Sequence, residues 1–277
     1  MTGSPRLSAR FAALKAADRA GLIAYVMAGD PDLETTLPIL RAAAAAGADV
    51  IELGFPFTDP MADGPTIQRA ALRALASGTT LARVLDLVAR FRAEDPDTPL
   101  ILMGYANPIE RMGLDAFAAR ASAAGMDGAI VVDLPPEEDF ELRAAFAPRN
   151  LSLIRLATPT TDEKRLPTVL DGVSGFLYYV SLTGVTGVQA VGVEAARAAA
   201  VRLKAATDLP VAVGFGVRDP DVAAAIARSA DAVVVGSAIV DAIADGPPET
   251  APQRVADKVG ALAAAVRQAR LPSGALR

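Results

Sequence analysis

Eight short apolar segments recur along the chain, and each is followed by a stretch with the apolar spacing of a helix. Within each segment the apolar character is nearly continuous, as is typical of parallel strands covered on both faces. Strand–helix units of this kind connect with one handedness, and eight of them close into a (β/α)8 TIM barrel. The predicted strands are 21–31 with its closing turn, 50–55, 100–105, 128–134, 151–157, 175–181, 210–216 and 231–237.

The length of the chain fits one such barrel. Barrels of this type need about 250 residues, and no low-complexity segment or large insertion interrupts the 277 residues. We therefore expect a single domain over 1–277, with an extra N-terminal helix within about 1–18 and a flexible tail at about 272–277. An open doubly wound sheet is the alternative, but no G-x-G-x-x-G turn follows the first strand.

Helical patterns fill the intervals between the strands. They predict helices at 4–17, 33–46, 66–76, 81–94, 114–124, 137–147, 193–206, 221–228, 238–244 and 254–270. Residues 106–108 are predicted as a loop, and Thr160 with Glu163 forms a plausible capping box for a helix after the fifth strand.

Composition excludes several classes of partner. The chain has 27 basic and 32 acidic residues, which disfavours nucleic acid and anionic membranes as partners. No apolar stretch approaches the ~18 residues of a membrane helix. The basic N-terminus faintly resembles a transit peptide, but a short amphipathic helix is the favoured interpretation. Cysteine is absent, and we expect a cytoplasmic protein.

The same composition restricts the chemistry. Without Cys or His the sequence offers no thiol nucleophile, no Ser-His-Asp triad and no His-ligated zinc. None of its four lysines ends an apolar strand, where a Schiff-base lysine would be expected. Proton transfer must therefore come from carboxylates, tyrosine or ordered water.

The second predicted strand and the loop after it contain the strongest candidates. Glu52 interrupts an apolar run, where burying a carboxylate is costly. Asp59 and Asp63 follow in a loop stiffened by proline and glycine. This layout suits acid–base catalysis, although a single Glu in a strand is also commonly an edge residue or half of a structural ion pair.

Glycine clusters follow the last three strands, where a barrel often binds phosphate. The clusters are Gly184 with Gly187, Gly214 with Gly216, and Gly236-Ser237. The last opens a short helix, whose amino end favours an anion. Each glycine could instead be a simple turn former, but three clusters on one rim favour a phosphate site. Tyr25, Tyr105 and Tyr178 also end strands; they could pack in the core or, with Phe215, wall a pocket for a flat ring.

The segment IELGFPFTDPMADGPTIQ at 51–68 resembles the signature of the tryptophan synthase alpha chain family. Segments 29–31, 103–108, 133–135, 184–187, 214–216 and 236–240 match the same family in order, so the resemblance covers nearly the whole chain. It implies cleavage of indole-3-glycerol phosphate to indole and glyceraldehyde 3-phosphate. An indole ring protonated at the carbon that bears the side chain can accept the electrons of the broken bond, so two carboxylates suffice.

By this resemblance, Glu52 moves the protons and Asp63 accepts the indole N–H. Tyr178 lines the site near Glu52, and Thr186 hydrogen-bonds Asp63 when its loop closes. The remaining matched residues are Gly187, Gly216, Gly236 and Ser237 for the phosphate, and Tyr25, Tyr105 and Phe215 for the indole. Leu182 departs from family members that have a basic residue there, which leaves the detail of loop closure open.

The resemblance also implies a partner, the tryptophan synthase beta chain in an α2β2 tetramer. The loops after strands two and three would dock it. Pyridoxal phosphate would belong to that partner, and this chain would need no cofactor. Three other functions remain open from the sequence: a free-standing lyase with the same site, another phosphate-binding barrel such as a sugar-phosphate isomerase, and an inactive barrel that only activates a partner.

Overall fold

Parallel strands and surrounding helices form the protein, seen here in a computed structural model that describes residues 3–181, 189–214 and 216–271. The strands are β1 (Gly21–Met27), β2 (Val50–Gly54), β3 (Leu100–Gly104), β4 (Gly128–Val131), β5 (Ser152–Leu153), β6 (Arg155–Ala157), β7 (Leu177–Val180), β8 (Val211–Gly214) and β9 (Ala232–Val235). The helices are α1 (Pro5–Ala16), α2 (Leu33–Ala45), α3 (Pro65–Ala76), α4 (Leu81–Glu94), α5 (Ala106–Met112), α6 (Leu114–Ala123), α7 (Phe140–Phe146), α8 (Leu166–Leu170), α9 (Gln189–Lys204), α10 (Pro220–Ala227), α11 (Ser237–Ala244) and α12 (Ala251–Gln268). Within the described part of the chain, no helix is long and apolar enough to cross a membrane.

The strands close into a barrel, as predicted. All pairings are parallel, and the order around the sheet is β5-β4-β3-β2-β1-β9-β8-β7-β6. The two ends of this order, β5 and β6, are consecutive in the chain and are separated only by Ile154. The fifth predicted strand is therefore one barrel strand with a break at Ile154, whose N–H still donates to the Ala129 carbonyl oxygen.

Helix α1 covers the amino-terminal end of the barrel. Ser4 begins it by accepting a hydrogen bond from the Leu7 N–H. Leu7, Phe11 and Leu14 then pack in one cluster with inward-facing strand residues such as Ile23 and Val50. This end is closed by apolar contacts, which leaves the carboxyl ends of the strands as the open face.

Three aspartates at the starts of strands fix this closed end. We call Asp49, Asp127 and Asp231 the amino-end aspartates. Each accepts a backbone N–H from a neighbouring strand: Leu22 at 2.9 Å, Leu100 at 2.8 Å and Val211 at 2.9 Å, respectively. Each also pairs with a cation, which compensates the burial of Asp49 and Asp127; Asp231, paired with Lys204, is partly exposed.

Three local predictions were wrong. Residues 106–108 begin helix α5 rather than form a loop, because Pro108 falls in the first turn, where a missing N–H is tolerated. The predicted helix at 137–147 starts only at Phe140 and ends in a 3-10 turn at Ala147–Arg149. The Thr160–Glu163 capping box is not formed; Asp162 instead accepts the N–H groups of Lys164 and Arg165 before a short α8.

Candidate active site

Glu52 lies on the inner face of β2, near the open end of the barrel. Val50, two residues earlier on the same face, packs in the barrel interior. The Glu52 side chain is only 1% exposed, and neither carboxyl oxygen has a hydrogen-bond partner among the described residues. Buried carboxylates are normally paired or hydrogen-bonded, so the ion-pair alternative for Glu52 is not what the structure shows.

This isolation changes the charge state of Glu52. Burial, and to a lesser degree the negative charge of Asp63, raise the pKa of Glu52 to about 8. A carboxyl group with this pKa holds its proton at neutral pH and can give it up within the physiological range. Glu52 is therefore suited to act first as a general acid.

The loop between β2 and α3 places Asp63 over the barrel opening. Its N–H donates to the Pro60 carbonyl oxygen at 3.1 Å, and its own carbonyl oxygen accepts from the Gln68 side chain at 2.8 Å. The neighbouring Ala62 N–H donates to the Tyr105 hydroxyl oxygen at 3.0 Å. Asp63 thus sits on a short turn held at both ends and supported from β3.

Asp63 has a different charge state from Glu52. Partial burial raises its pKa to about 6, and the adjacent Tyr105 hydroxyl group opposes that rise. Near pH 7, Asp63 is mostly ionised while Glu52 is mostly protonated. This carboxylate pair, Glu52 with Asp63, therefore offers one proton donor and one anionic acceptor, and such a separation of pKa values is a common pattern of catalytic acids and bases.

The rings of Tyr25 on β1 and Tyr178 on β7 each pack against a glycine of the next strand. A Cβ atom at Gly54 would collide with the Tyr25 hydroxyl oxygen, and one at Gly214 would collide with that of Tyr178. Both tyrosines are almost fully buried. The glycines therefore provide the space in which the rings lie beside Glu52.

A cavity of about 220 Å³ opens between these groups. The carboxylate pair, Tyr25 and Tyr178 line it. The strand ends between β7 and β1 complete it, and we call them the glycine rim: Gly214, Gly216, Gly236 and Ser237. Gly236 precedes α11 without a side-chain cap, so the first N–H groups of that helix are available to a ligand.

The structure thus brings most of the predicted site residues together. Tyr105 stands behind the cavity and supports the Asp63 loop through its hydroxyl group. Thr186, Gly187, Phe215 and Leu182 lie outside the described residues. Sequence reasoning missed the other apolar lining residues, which are Ala62, Ile67, Met103, Val180, Val217 and Val234. The two-residue spacing of Ile101 and Met103 on β3 was the available signal.

An ion pair between the buried Asp30 and the partly exposed Arg73 holds the last turn of α3 against the barrel. The Asp30 carboxylate is fully buried after β1 and accepts two hydrogen bonds from the Arg73 guanidinium, at 2.7 and 2.8 Å. The Ser77 hydroxyl group adds a bond to the Gly29 carbonyl oxygen. These contacts fix the last turn of α3 against the end of β1, while the Asp63 loop before the first turn of the helix is supported from the end of β3.

A larger depression, about 700 Å³, lies at the opposite end of the barrel beside α1. Its charged walls include Arg19, which pairs with Asp49, and Lys204, which pairs with Asp231. These charges are compensated, unlike Glu52. By volume alone this depression would be the candidate active site. Glu52, which has no hydrogen-bond partner among the described residues, lines the smaller cavity and favours that one instead.

Fold and site together define a class, a (β/α)8 barrel enzyme whose proton chemistry rests on a carboxylate pair. The profile of the tryptophan synthase alpha chain family matches residues 11–269. A tryptophan synthase alpha chain of Caulobacter sp. (strain K31) is 58% identical over 268 residues, which are 96% of this chain and 98% of that one. One from Gluconacetobacter diazotrophicus is 55% identical over 96% of this chain and 99% of its own length.

Solved structures give the same assignment. The alpha subunit from Legionella pneumophila str. Paris has a TM-score of 0.87 at 41% identity, covering 94% of this chain and 98% of that chain. A Mycobacterium tuberculosis tryptophan synthase chain has a TM-score of 0.87 at 39% identity, covering 95% and 99%. The chain belongs to the tryptophan synthase alpha chain family, as its motifs predict.

Proposed function

We propose that this chain cleaves indole-3-glycerol phosphate to indole and glyceraldehyde 3-phosphate with the carboxylate pair. One observation supports this above all: Glu52 is buried at the barrel opening, has no hydrogen-bond partner among the described residues, and faces a cavity shared with Asp63. Membership of the alpha chain family supports the same reaction.

The first step uses the protonated Glu52. It gives its proton to the indole carbon that bears the glycerol phosphate side chain, and the ring becomes a cation. Asp63 accepts the indole N–H as a hydrogen bond and stabilises that positive charge. With Asp63 ionised at neutral pH, the pair has the two protonation states that this step requires.

The second step breaks the carbon–carbon bond. The Glu52 carboxylate takes the proton of the side-chain hydroxyl group next to that bond, and the oxygen becomes the aldehyde of glyceraldehyde 3-phosphate. The bond electrons return to the ring, which leaves as neutral indole. Glu52 is protonated again, so the cycle closes without an external acid or base.

The other matched residues bind and orient the substrate in this proposal. The glycine rim, with Gly187, holds the phosphate, and the amino end of α11 supports its charge. Tyr25, Tyr105 and Phe215 border the indole, and Tyr178 positions Glu52. Thr186 hydrogen-bonds Asp63 when its loop closes.

The indole passes to a beta chain partner, which forms an α2β2 tetramer with this chain. Structures of tryptophan synthase among the neighbours support such a complex. Pyridoxal phosphate belongs to the beta chain, and this chain works without a cofactor. Residues 1–277 act as one domain in the cytoplasm; the predicted tail at about 272–277 lies outside the described residues.

An indole-release assay tests the proposal. The chain is incubated with indole-3-glycerol phosphate alone and with a beta chain, and indole is measured directly. Release that increases with the beta chain supports the paired enzyme, and equal release in both supports a free-standing lyase. No release under either condition would refute the reaction; turnover of a sugar phosphate instead would favour an isomerase.

Gly236→Ala should weaken substrate binding without preventing folding. The backbone φ of Gly236 is −111°, and an added Cβ would lie 3.6 Å from Tyr25, an ordinary contact. The new methyl group would enter the proposed phosphate cradle, so we expect KM to rise about tenfold, equivalent to ~1.4 kcal/mol, while kcat changes little. Gly260→Ala, with open space around its Cβ on α12, is the matched control. An unchanged KM would remove Gly236 from the phosphate site.

The rate should depend on pH through both acids. Above about pH 8 Glu52 loses the proton that the first step needs, and below about pH 6 Asp63 becomes neutral. We therefore expect a bell-shaped plot of kcat/KM with limbs near these values. The substrate phosphate also titrates at about 6, so the alkaline limb is decisive. A rate that still rises at pH 9 would contradict a protonated Glu52 in the first step.

A further inference from the structure

Tyr25 lies next to Glu52 and lines the same cavity. In the parallel register of β1 and β2, Tyr25 is the direct neighbour of Glu52. Its ring extends past Glu52 to Gly54, where its hydroxyl oxygen occupies the place of a Cβ atom. The side chain is 6% exposed, and within the described part of the chain its hydroxyl group has no hydrogen-bond partner.

The groups around Tyr25 make this hydroxyl group a permanent donor. Asp63 faces it from the loop before α3, Glu52 from β2, Tyr105 from the end of β3 and Tyr178 from β7. None of these is a cation. Burial and these neighbours raise the pKa of Tyr25 well above its usual value, so its proton stays in place across the working range.

The Tyr25 hydroxyl group, a hydrogen-bond donor, becomes important once the neighbouring Glu52 loses its proton. When Glu52 gives its proton to the substrate, a carboxylate forms on a residue that is only 1% exposed. A hydrogen bond to a charged acceptor is stronger than one to a neutral group, so a hydroxyl group in this place favours the charged form of Glu52. It therefore contributes mainly after proton transfer has begun, when it lowers the barrier.

We propose that Tyr25 is a positioning residue whose hydroxyl group stabilises the carboxylate that forms on Glu52 during turnover. This inference rests on the proposed function of Glu52. It assigns Tyr25 a role in proton transfer in addition to contact of its ring with the indole. The ring alone would serve that contact equally well as phenylalanine.

Tyr25→Phe is the test, measured with the full chain, both alone and with the beta chain. The ring is kept, so folding and indole contact should be preserved. We expect kcat to fall at least about tenfold, the effect of losing a hydrogen bond to a charged group, while KM stays within about twofold. The alkaline limb of the pH–rate profile should move upward, because the charged form of Glu52 has lost its donor. An unchanged kcat with an unmoved limb would overturn the proposal.

Tyr179→Phe is the matched control. Tyr179 follows Tyr178 on β7, faces the outer helices and is equally buried, but it is remote from the cavity. Removal of the Tyr179 hydroxyl group should leave kcat and the alkaline limb of the pH–rate profile unchanged.

A direct titration separates this inference from the proposed function. The carboxyl carbon of Glu52 can be followed by NMR against pH in ¹³C-labelled protein, with Glu52→Gln to assign the signal. If the wild-type chain releases no indole, the proposed function fails, and the titration still shows whether Tyr25→Phe raises the pKa of Glu52. An identical midpoint in wild type and Tyr25→Phe would refute the proposed hydrogen bond between the two side chains whatever the reaction.

Discussion

Glu52→Gln is expected to lower kcat for indole release by about 10³-fold or more, within the usual range for the loss of a general acid–base group. Glutamine has the shape of the protonated acid, but it neither gives up a proton at neutral pH nor accepts the hydroxyl proton in the second step. Binding should persist, because the glycine rim and the ring contacts are untouched. Steady-state kinetics with binding of a non-reactive substrate analogue measure both effects.

At alkaline pH, Glu52→Gln should also be more stable against unfolding than wild type. The pKa of Glu52 is raised from 4.5 to about 8 in the folded chain, so the folded state binds the proton more tightly. The stability from this group is complete below the unfolded value and is lost as pH rises from about 4.5 through 8. Glutamine does not titrate, so the free energy of unfolding of Glu52→Gln relative to wild type should increase over that range, by at most ~1.4 kcal/mol per pH unit.

Chemical denaturation at pH 5 and pH 9 measures this difference. The exposed Glu94→Gln, in a surface pair with Arg41, is the matched control and should show little change at either pH. Near-normal turnover in Glu52→Gln would exclude the assigned role. A stability that does not diverge from wild type with pH would show that Glu52 is ionised in the folded chain throughout.

Arg73→Leu is expected to destabilise the fold by about 3 kcal/mol, because it leaves a buried carboxylate without its cation. Asp30 is fully buried, and both of its oxygens bond Arg73. Burial already raises the pKa of Asp30 despite this partner. We choose the lower end of the range of about 3–5 kcal/mol because the Arg73 side chain is 36% exposed and water can replace part of it.

Denaturant unfolding of Arg73→Leu, Asp30→Asn and the double variant measures the coupling. The double variant should cost less than the sum of the two single changes, because it leaves no unpaired charge. Arg90→Leu, which removes an exposed pair with Glu34, is the control and should have little effect. Additive costs would show that Asp30 and Arg73 do not depend on each other.

Local patterns determine most of what could be predicted from the sequence. Each apolar run became a barrel strand, because continuous apolar character identifies a strand buried on both faces. The break at Ile154 has no such signal, since 151–157 is apolar except for Ser152 and Arg155. The Arg155 guanidinium is drawn into a buried pair with Asp139. Helix α5 was missed because Pro108 signals a loop unless it falls in the first turn of a helix.

The candidate site likewise has features that the sequence predicts and features that it does not. Glu52 could be found because an acid in an apolar strand is unusual wherever it occurs. That Glu52 has no hydrogen-bond partner among the described residues could not be predicted, because this depends on every side chain that the fold brings near it. The Asp30–Arg73 pair spans 43 residues, and the Tyr105 contact with the Asp63 loop depends on the neighbouring strand β3. No local pattern reports either contact.

The amino-end aspartates have a consequence for how such a protein can change. Because Asp49, Asp127 and Asp231 connect strand to strand at the closed end, the framework is secured far from the reacting groups. Mutations that remodel the loops of the open end leave those anchors intact. Evolution, or a designer, can therefore exchange one chemistry for another at the open end while the same foundation continues to hold the molecule together.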